Sequence, residues 1–271
     1  MPALAAALAC APLRAEQLPV WEIGAGAALI DFPHYRGSDQ RQTYLLPVPY
    51  LVYRGEFLRA DRGRVRGLFV ENERIEVHVS VNGSVPVDSE DNEARRGMPD
   101  LDPTFEVGPS LEIELLRGHH GKISLDLRLP LRTVVATDFA SFHNKGWVFQ
   151  PQLNVDLREK ALGRDWKLGF AAGPMFGDKR YHNTYYGVAQ QFATAARPAY
   201  LAEGGYAGAQ FLAAASRRFA PWWVGGFARW DMLSGAVFED SPLVRQRTAF
   251  SAGIALTRAL GRSNRLTEAD E

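Results

Sequence analysis

The chain has 271 residues, with 31 Lys plus Arg against 31 Asp plus Glu, so its formal charge is zero and the basic excess of a nucleic-acid binder is missing. Hydrophobic residues make up 46%, too many for a disordered chain, and the single cysteine excludes a disulfide framework and a cysteine-based zinc site. No apolar run reaches the ~18 residues of a membrane-spanning helix.

Residues 1–15 (MPALAAALACAPLRA) are rich in Ala and Leu and end in small residues before the polar pair Glu16-Gln17. This predicts an export signal cleaved after Ala15, with a short apolar helix as the alternative. Cys10 follows Ala7-Leu8-Ala9, which is a poor lipobox. Without residues 1–15 the chain carries no thiol, which suits an oxidising compartment.

From residue 75 onward the hydrophobic period is two. Ile75, Val77, Val79, Val81, Val85 and Val87 alternate with Glu76, His78, Ser80, Asn82 and Ser84. Residues 105–115 set Glu106, Ser110, Glu112 and Glu114 on one side, and residues 123–131 do the same with Ser124, Asp126 and Arg128. Gln150, Gln152, Asn154 and Asp156 form the polar side of 147–157, and 166–176 repeats the pattern with Lys167 opposite Trp166. Each segment is a strand with one apolar and one polar face, and helix content should be low.

A soluble sandwich or barrel turns the apolar face inward, whereas a transmembrane barrel turns it outward to lipid. Three features point to the membrane. The segments are long, about 11–15 residues, against a globular mode of five or six. The polar faces carry ionisable groups that a wet lumen tolerates as opposite-charge pairs. Arg59, Arg128, Arg158 and Arg229 are candidates to pair with Asp61, Asp126, Asp156 and Glu114. Aromatic residues, among them Trp21, Tyr53, Phe105, Trp147, Trp222 and Trp230, mark segment ends as interfacial girdles do.

The connections sharpen this. Long ones are expected at 31–42, 88–102, 136–145, 178–203 and 235–247, and short ones at 54–56, 72–74, 117–121, 159–164 and 219–221. Long and short alternate except where two short turns adjoin. A hairpin near Arg62-Gly63-Arg64 restores the alternation and gives an all-β, single antiparallel up-and-down transmembrane β-barrel of about twelve strands.

Several motifs carry a family resemblance. Tyr35-Arg36-Gly37-Ser38-Asp39 is followed by Leu46-Pro47-Val48-Pro49-Tyr50 and Tyr53-Arg54. Asp100-Leu101-Asp102, Gly108-Pro109, residues 181–188 (YHNTYYGV), Pro198-Ala199-Tyr200, Asp240-Ser241-Pro242-Leu243-Val244 and Phe250-Ser251-Ala252-Gly253 come after them. In order and spacing they resemble the MipA/OmpV family of outer-membrane proteins, over roughly residues 21 to 260. The resemblance implies a monomeric outer-membrane barrel, here expected at 16–260 between the signal at 1–15 and a polar tail at 261–271. It also implies contact with outer-membrane lipid, lipopolysaccharide and the barrel-assembly machinery. Members are described as scaffolds bridging a lytic transglycosylase and a murein synthase, and others as adhesins or surface antigens. One departure is Leu260, which stands where the family's terminal aromatic residue would signal to the assembly machinery.

No catalytic motif is present: there is no Gly-x-Ser-x-Gly elbow, no phosphate loop and no His-Glu-x-x-His. His119-His120 lies between glycines and is expected to be a solvated turn. Asp88, Glu90, Asp91, Glu93, Asp100 and Asp102 form an acidic loop that would face lipopolysaccharide, without EF-hand spacing. No enzyme activity, metal or cofactor is expected. The loop at 178–203 holds Tyr181, Tyr185, Tyr186, Phe192 and Tyr200 with Arg180 and Arg197. Such clusters form binding hot spots, or pack together over a barrel mouth. With Tyr35 and Asp39 of the first motif, Tyr181, Tyr185, Tyr186, Arg197 and Tyr200 are the expected loop contact surface. The leading expectation is a non-enzymatic scaffold with a small or closed pore. The alternatives are a narrow channel for small solutes and an adhesin acting through the loops.

Overall fold

The computed structural model describes residues 17–54, 58–61, 64–67, 71–72, 74–118, 123–137, 141–157 and 166–268. The expected signal at 1–15, His119-His120, Arg158 and the tip of the hairpin at 62–63 lie outside them. In chain order the elements are β1 (Gln17–Pro19), β2 (Trp21–Pro33), β3 (Arg41–Arg54), β4 (Leu58–Asp61), β5 (Arg64–Gly67), β6 (Glu71–Asn72), β7 (Ile75–Ser84), β8 (Thr104–Gly118) and β9 (Ile123–Thr137). They continue with β10 (Phe142–Phe149), β11 (Gln152–Leu157), β12 (Trp166–Gly177), helix α1 (Lys179–Tyr186), a 3-10 turn (Gln190–Phe192), β13 (Gly205–Phe219), β14 (Trp222–Met232), β15 (Thr248–Arg262) and β16 (Leu266–Glu268).

All but β1 and β16 belong to one antiparallel sheet, which closes on itself because β12 pairs with β13 and β15 with β2. Among the described residues its fourteen strand segments form twelve staves. β10 and β11 both pair along β9 and make one stave, and β5 and β6 both lie against β7 and make another. The hairpin of β4 and β5, with Asp61 opposite Arg64, supplies the two staves that the loop alternation required. This is the expected antiparallel transmembrane β-barrel.

The inversion is direct. Leu29, Leu45, Leu131, Leu153, Phe170 and Ile254 are exposed, while Glu106, Ser110, Asp126, Arg132, Asn154 and Asp231 are buried. Outward aromatics form two girdles. Phe211, Trp230 and Phe250 are register partners across three staves, and Phe219 pairs with Trp222 near the opposite end. Trp222 and Trp230 share a face of β14 eight positions apart, about 27 Å along the strand. A tilt of about 40° turns that into about 21 Å of height, close to the apolar band of such barrels.

Several boundaries differ from expectation. The connection expected at 136–145 is mostly ladder, since β9 runs to Thr137 and β10 starts at Phe142. The segment 147–157 is interrupted at Gln150 and Pro151, where the Gln150 amide turns to the Pro130 carbonyl and Pro151 has no amide to offer. Val85 and Val87 leave the strand, and Val87 bridges to Leu101 inside a loop. The last long strand reaches Arg262, and within the expected polar tail Leu266–Glu268 pairs with Gln17–Pro19.

Candidate functional site

At one end of the barrel the long connections fold over the mouth as a cap. Four of them interlock: residues 34–40, 85–103, 178–204 and 233–247. Their shared core includes Tyr35, Val87, Leu101, Tyr181, Tyr186, Val188, Leu233, Phe238 and Leu243, resting on Val134, Val148 and Met175 from the wall.

Local sequence dictates each piece. Asp178 caps α1 by accepting the Tyr181 amide at 2.8 Å, and the helix stops at Gly187, whose amide returns to the Asn183 carbonyl. One turn inside, the Asn183 side chain reaches across to Ala202, accepting its amide and donating to its carbonyl. Gly37 has φ of +96°, a left-handed conformation open to glycine, and its carbonyl accepts the amides of Arg245 and Gln246. The Tyr35 hydroxyl donates to the Leu243 carbonyl at 2.8 Å, and the Tyr186 hydroxyl to the Arg36 carbonyl at 2.9 Å. The Tyr186 ring stacks on Phe238 with centroids 3.6 Å apart.

These contacts place the expected loop residues. Tyr35, Tyr181 and Tyr186 are cap interior rather than accessible contact surface. Burial pushes the Tyr35 hydroxyl up to about 12 and raises those of Tyr181, Tyr185 and Tyr186 as well. Arg197 is a clip: it donates to the carbonyl of Phe192 in its own loop and to those of Ala94 and Arg96 in the neighbouring one. Asp39 and Tyr200 sit at the rim, Asp39 facing Arg245 at 3.8 Å and Tyr200 donating to the Val237 carbonyl at 3.4 Å. Three of the six acids of 85–103 accept backbone amides. Asp100 accepts from Ser89, Asp88 from Glu90 and Glu90 from Gly97. Between this loop and the α1 loop lies a cleft of about 610 Å³, lined by Tyr185, Phe192, Tyr200, Leu101, Arg95 and Asp100 among others.

Beneath the cap the inner wall carries a polar belt. Asn82 donates to Glu106, Glu106 accepts Arg132 at 2.8 Å, Arg132 donates to Gln150, Gln150 to Gln210 and Gln210 to Asp231. Asp231 also takes the guanidinium groups of Arg229 and Arg36, each at 2.9 Å. Arg36 hangs from the cap loop 34–40, so this carboxylate ties cap to wall. A lower tier surrounds Arg128, which contacts Glu112, Asp126 and Asp156. His78 lines the lumen near Glu112 at 4.0 Å. Of the expected ion pairs, Arg128 meets Asp126 and Asp156 as anticipated. Arg229 takes Asp231 instead, and Glu114 takes Arg117 three residues on in the same strand. The side chains of Arg59 and Asp61 lie outside the described ones.

Arg132, Asp231, Arg36, His182 and Phe238 were not singled out from the sequence. Arg132 was within reach. It continues the even-numbered polar series Ser124, Asp126, Arg128 past Pro130. The others depend on which loops meet, and a single chain's period carries no trace of that.

The profile of the family described as MltA-interacting protein MipA matches residues 23–260. No curated protein matches the chain. Among solved structures it is similar to the CymD monoaromatic hydrocarbon channel, at 11% identity over 90% of this chain and 89% of that one, with a TM-score of 0.31. It is similar to a Pseudomonas aeruginosa FadL homologue at 7% identity, 89% and 90% coverage and a TM-score of 0.31. The Ralstonia pickettii toluene transporter TbuX matches at 10% identity over 92% of this chain and 71% of the other, with a TM-score of 0.24.

Proposed function

The chain belongs to the family of the MltA-interacting protein MipA, and from that premise we propose that this outer-membrane barrel is a non-enzymatic scaffold for murein enzymes. It holds a lytic transglycosylase, and through it a murein synthase, at its periplasmic turns and termini. The observation that carries the reading is the filled mouth. Tyr35, Tyr181, Tyr186, Phe238 and Leu243 are buried together. At about 2 kcal/mol per large apolar side chain, exposing five of them costs about 10 kcal/mol. Opening is then too rare for steady passage, and the barrel serves as a rigid anchor. Ion pairs inside the wall, such as Arg132–Glu106 and Arg229–Asp231, stiffen it further.

The test is capture of a purified lytic transglycosylase by the detergent-solubilised barrel, alongside planar-bilayer recordings of the same preparation. Retention of the enzyme with an electrically silent barrel is the expected result. A large, stable single-channel conductance without retention would reverse the reading in favour of a solute channel.

A further inference from the structure

The cap carries a formed cleft that the scaffold reading does not use. It has a volume of about 610 Å³ and lies between the 85–103 loop and the α1 loop. Pockets of about 300–1,000 Å³ hold small organic ligands. Met98, Tyr185, Phe192 and Tyr200 each pack on the cap core and also line the cleft, with Leu101 and Val188 beside them. Thr104 and Ala136, register partners on β8 and β9, bring the wall into its lining. The lips are held by the cap itself. Val188 and Tyr200 exchange backbone hydrogen bonds of 2.8 and 3.0 Å. Arg197 joins the Phe192 carbonyl on one lip to those of Ala94 and Arg96 on the other. A cleft formed in advance loses little ordering entropy on binding.

Four charged side chains line it: Arg95, Asp100, Asp102 and Lys145. Two of them are joined through Ser89. Asp100 accepts the Ser89 amide at 2.8 Å, and Arg95 donates to the Ser89 hydroxyl at 3.2 Å and to the Pro99 carbonyl at 2.9 Å. That unit is neutral and belongs to the framework of its own loop. The other two charges are unspent. Asp102 and Lys145 are half-buried, and among the described residues neither has a hydrogen bond or an ion pair. Asp102 stands at the entry to β8 and Lys145 in β10, on either side of β9. Two strand spacings set their backbones about 10 Å apart. An apolar cleft with one acid and one base at separate points complements a molecule with both signs at its ends and an apolar body between. A dipeptide spans about 7 Å, and the two side chains cover the remainder.

We propose that this cleft binds a short apolar peptide with free termini, its ammonium at Asp102, its carboxylate at Lys145 and its side chains against Tyr185, Phe192 and Tyr200. The cap lies at the end of the barrel opposite the turns and termini, so this inference goes beyond the scaffold reading and does not depend on it.

The test is titration calorimetry on the full barrel in nanodiscs, with the dipeptide leucyl-phenylalanine, its N-acetyl form and its C-terminal amide. The free dipeptide is expected to bind about tenfold more tightly than either blocked form, because each block removes one charged contact. Asp102→Asn should weaken the free dipeptide about tenfold and leave the N-acetyl form unchanged. Lys145→Gln should weaken the free dipeptide by a similar factor and leave the amide unchanged. Phe192→Ala should weaken all three. The comparison of the three peptides on the unaltered barrel requires no variant to fold. No saturable binding, equal affinity for the three forms, or the same loss for every form in Asp102→Asn and Lys145→Gln would overturn the proposal.

Discussion

Trp230 and Tyr186 are both aromatic, yet Trp230 is 50% exposed on the wall and Tyr186 is 3% exposed in the cap. Arginines differ in the same way. Arg132 in the wall faces inward to a carboxylate, whereas Arg197 in the cap donates to three backbone carbonyls. The difference is the medium outside. Around the wall there is no water, so apolar groups face out and charges gather in the lumen. Around the cap there is water, so the ordinary rule of an apolar interior returns within the same chain. The two regimes meet at Asp231, which accepts Arg36 from the cap and Arg229 and Gln210 from the wall.

The largest expected effect breaks that junction. Asp231→Ala leaves two guanidinium groups without their shared carboxylate and should cost about 4 kcal/mol, read as a lower melting temperature of the detergent-solubilised barrel. If melting is unchanged and only cap proteolysis rises, the two regions are energetically separate. Phe238→Ala opens a cavity under Tyr186 and should cost about 3 kcal/mol within the cap alone. Its measurement is faster nicking inside 178–204 with an unaltered heat-modifiable shift. Ile254→Arg probes the other regime. Placing a charge on the lipid face at mid-strand should cost about 2 kcal/mol and lower the folded fraction after refolding into vesicles, with cap proteolysis unchanged.

The smallest effect is pH dependence of the cap. His182 is fully buried against Phe238, and its Nδ1 donates to the Glu203 carbonyl at 2.6 Å. Burial holds its pKa below the ordinary 6.5, while that hydrogen bond works in the opposite direction. The opened cap therefore binds the proton at higher pH than the closed one. The stabilisation is present above about pH 6.5 and is lost as pH falls toward the depressed value. Burial shifts His34 the same way. Nicking within 178–204 should rise from neutral pH to about pH 5, and His182→Phe should flatten the rise.

Much of the wall was legible in the residues. Valines at 77, 79 and 81 against His78 and Ser80 define a two-faced strand whatever surrounds it, because successive side chains of a strand point to opposite sides. Loop alternation supplied the hairpin at β4 and β5 before any pairing was known. The break at Gln150 and Pro151 was less legible, since Phe149 and Leu153 keep an apolar rhythm across it. The cap was legible as a cluster of aromatics in a long connection but not as an arrangement. Nothing in 178–203 announces that Tyr186 will stack on Phe238, or that Arg197 will reach Ala94 and Arg96.

The sequence by itself determined the barrel, its approximate stave number and the family, because backbone pairing, strand period and ordered motifs are properties of neighbours along the chain. Only the tertiary structure decided which carboxylate Arg36 finds and which loops share the core of the cap. Those outcomes depend on closure of the sheet. Closure brings residues about two hundred positions apart to within hydrogen-bonding reach, as at Tyr35 and Leu243, and no local pattern encodes that distance.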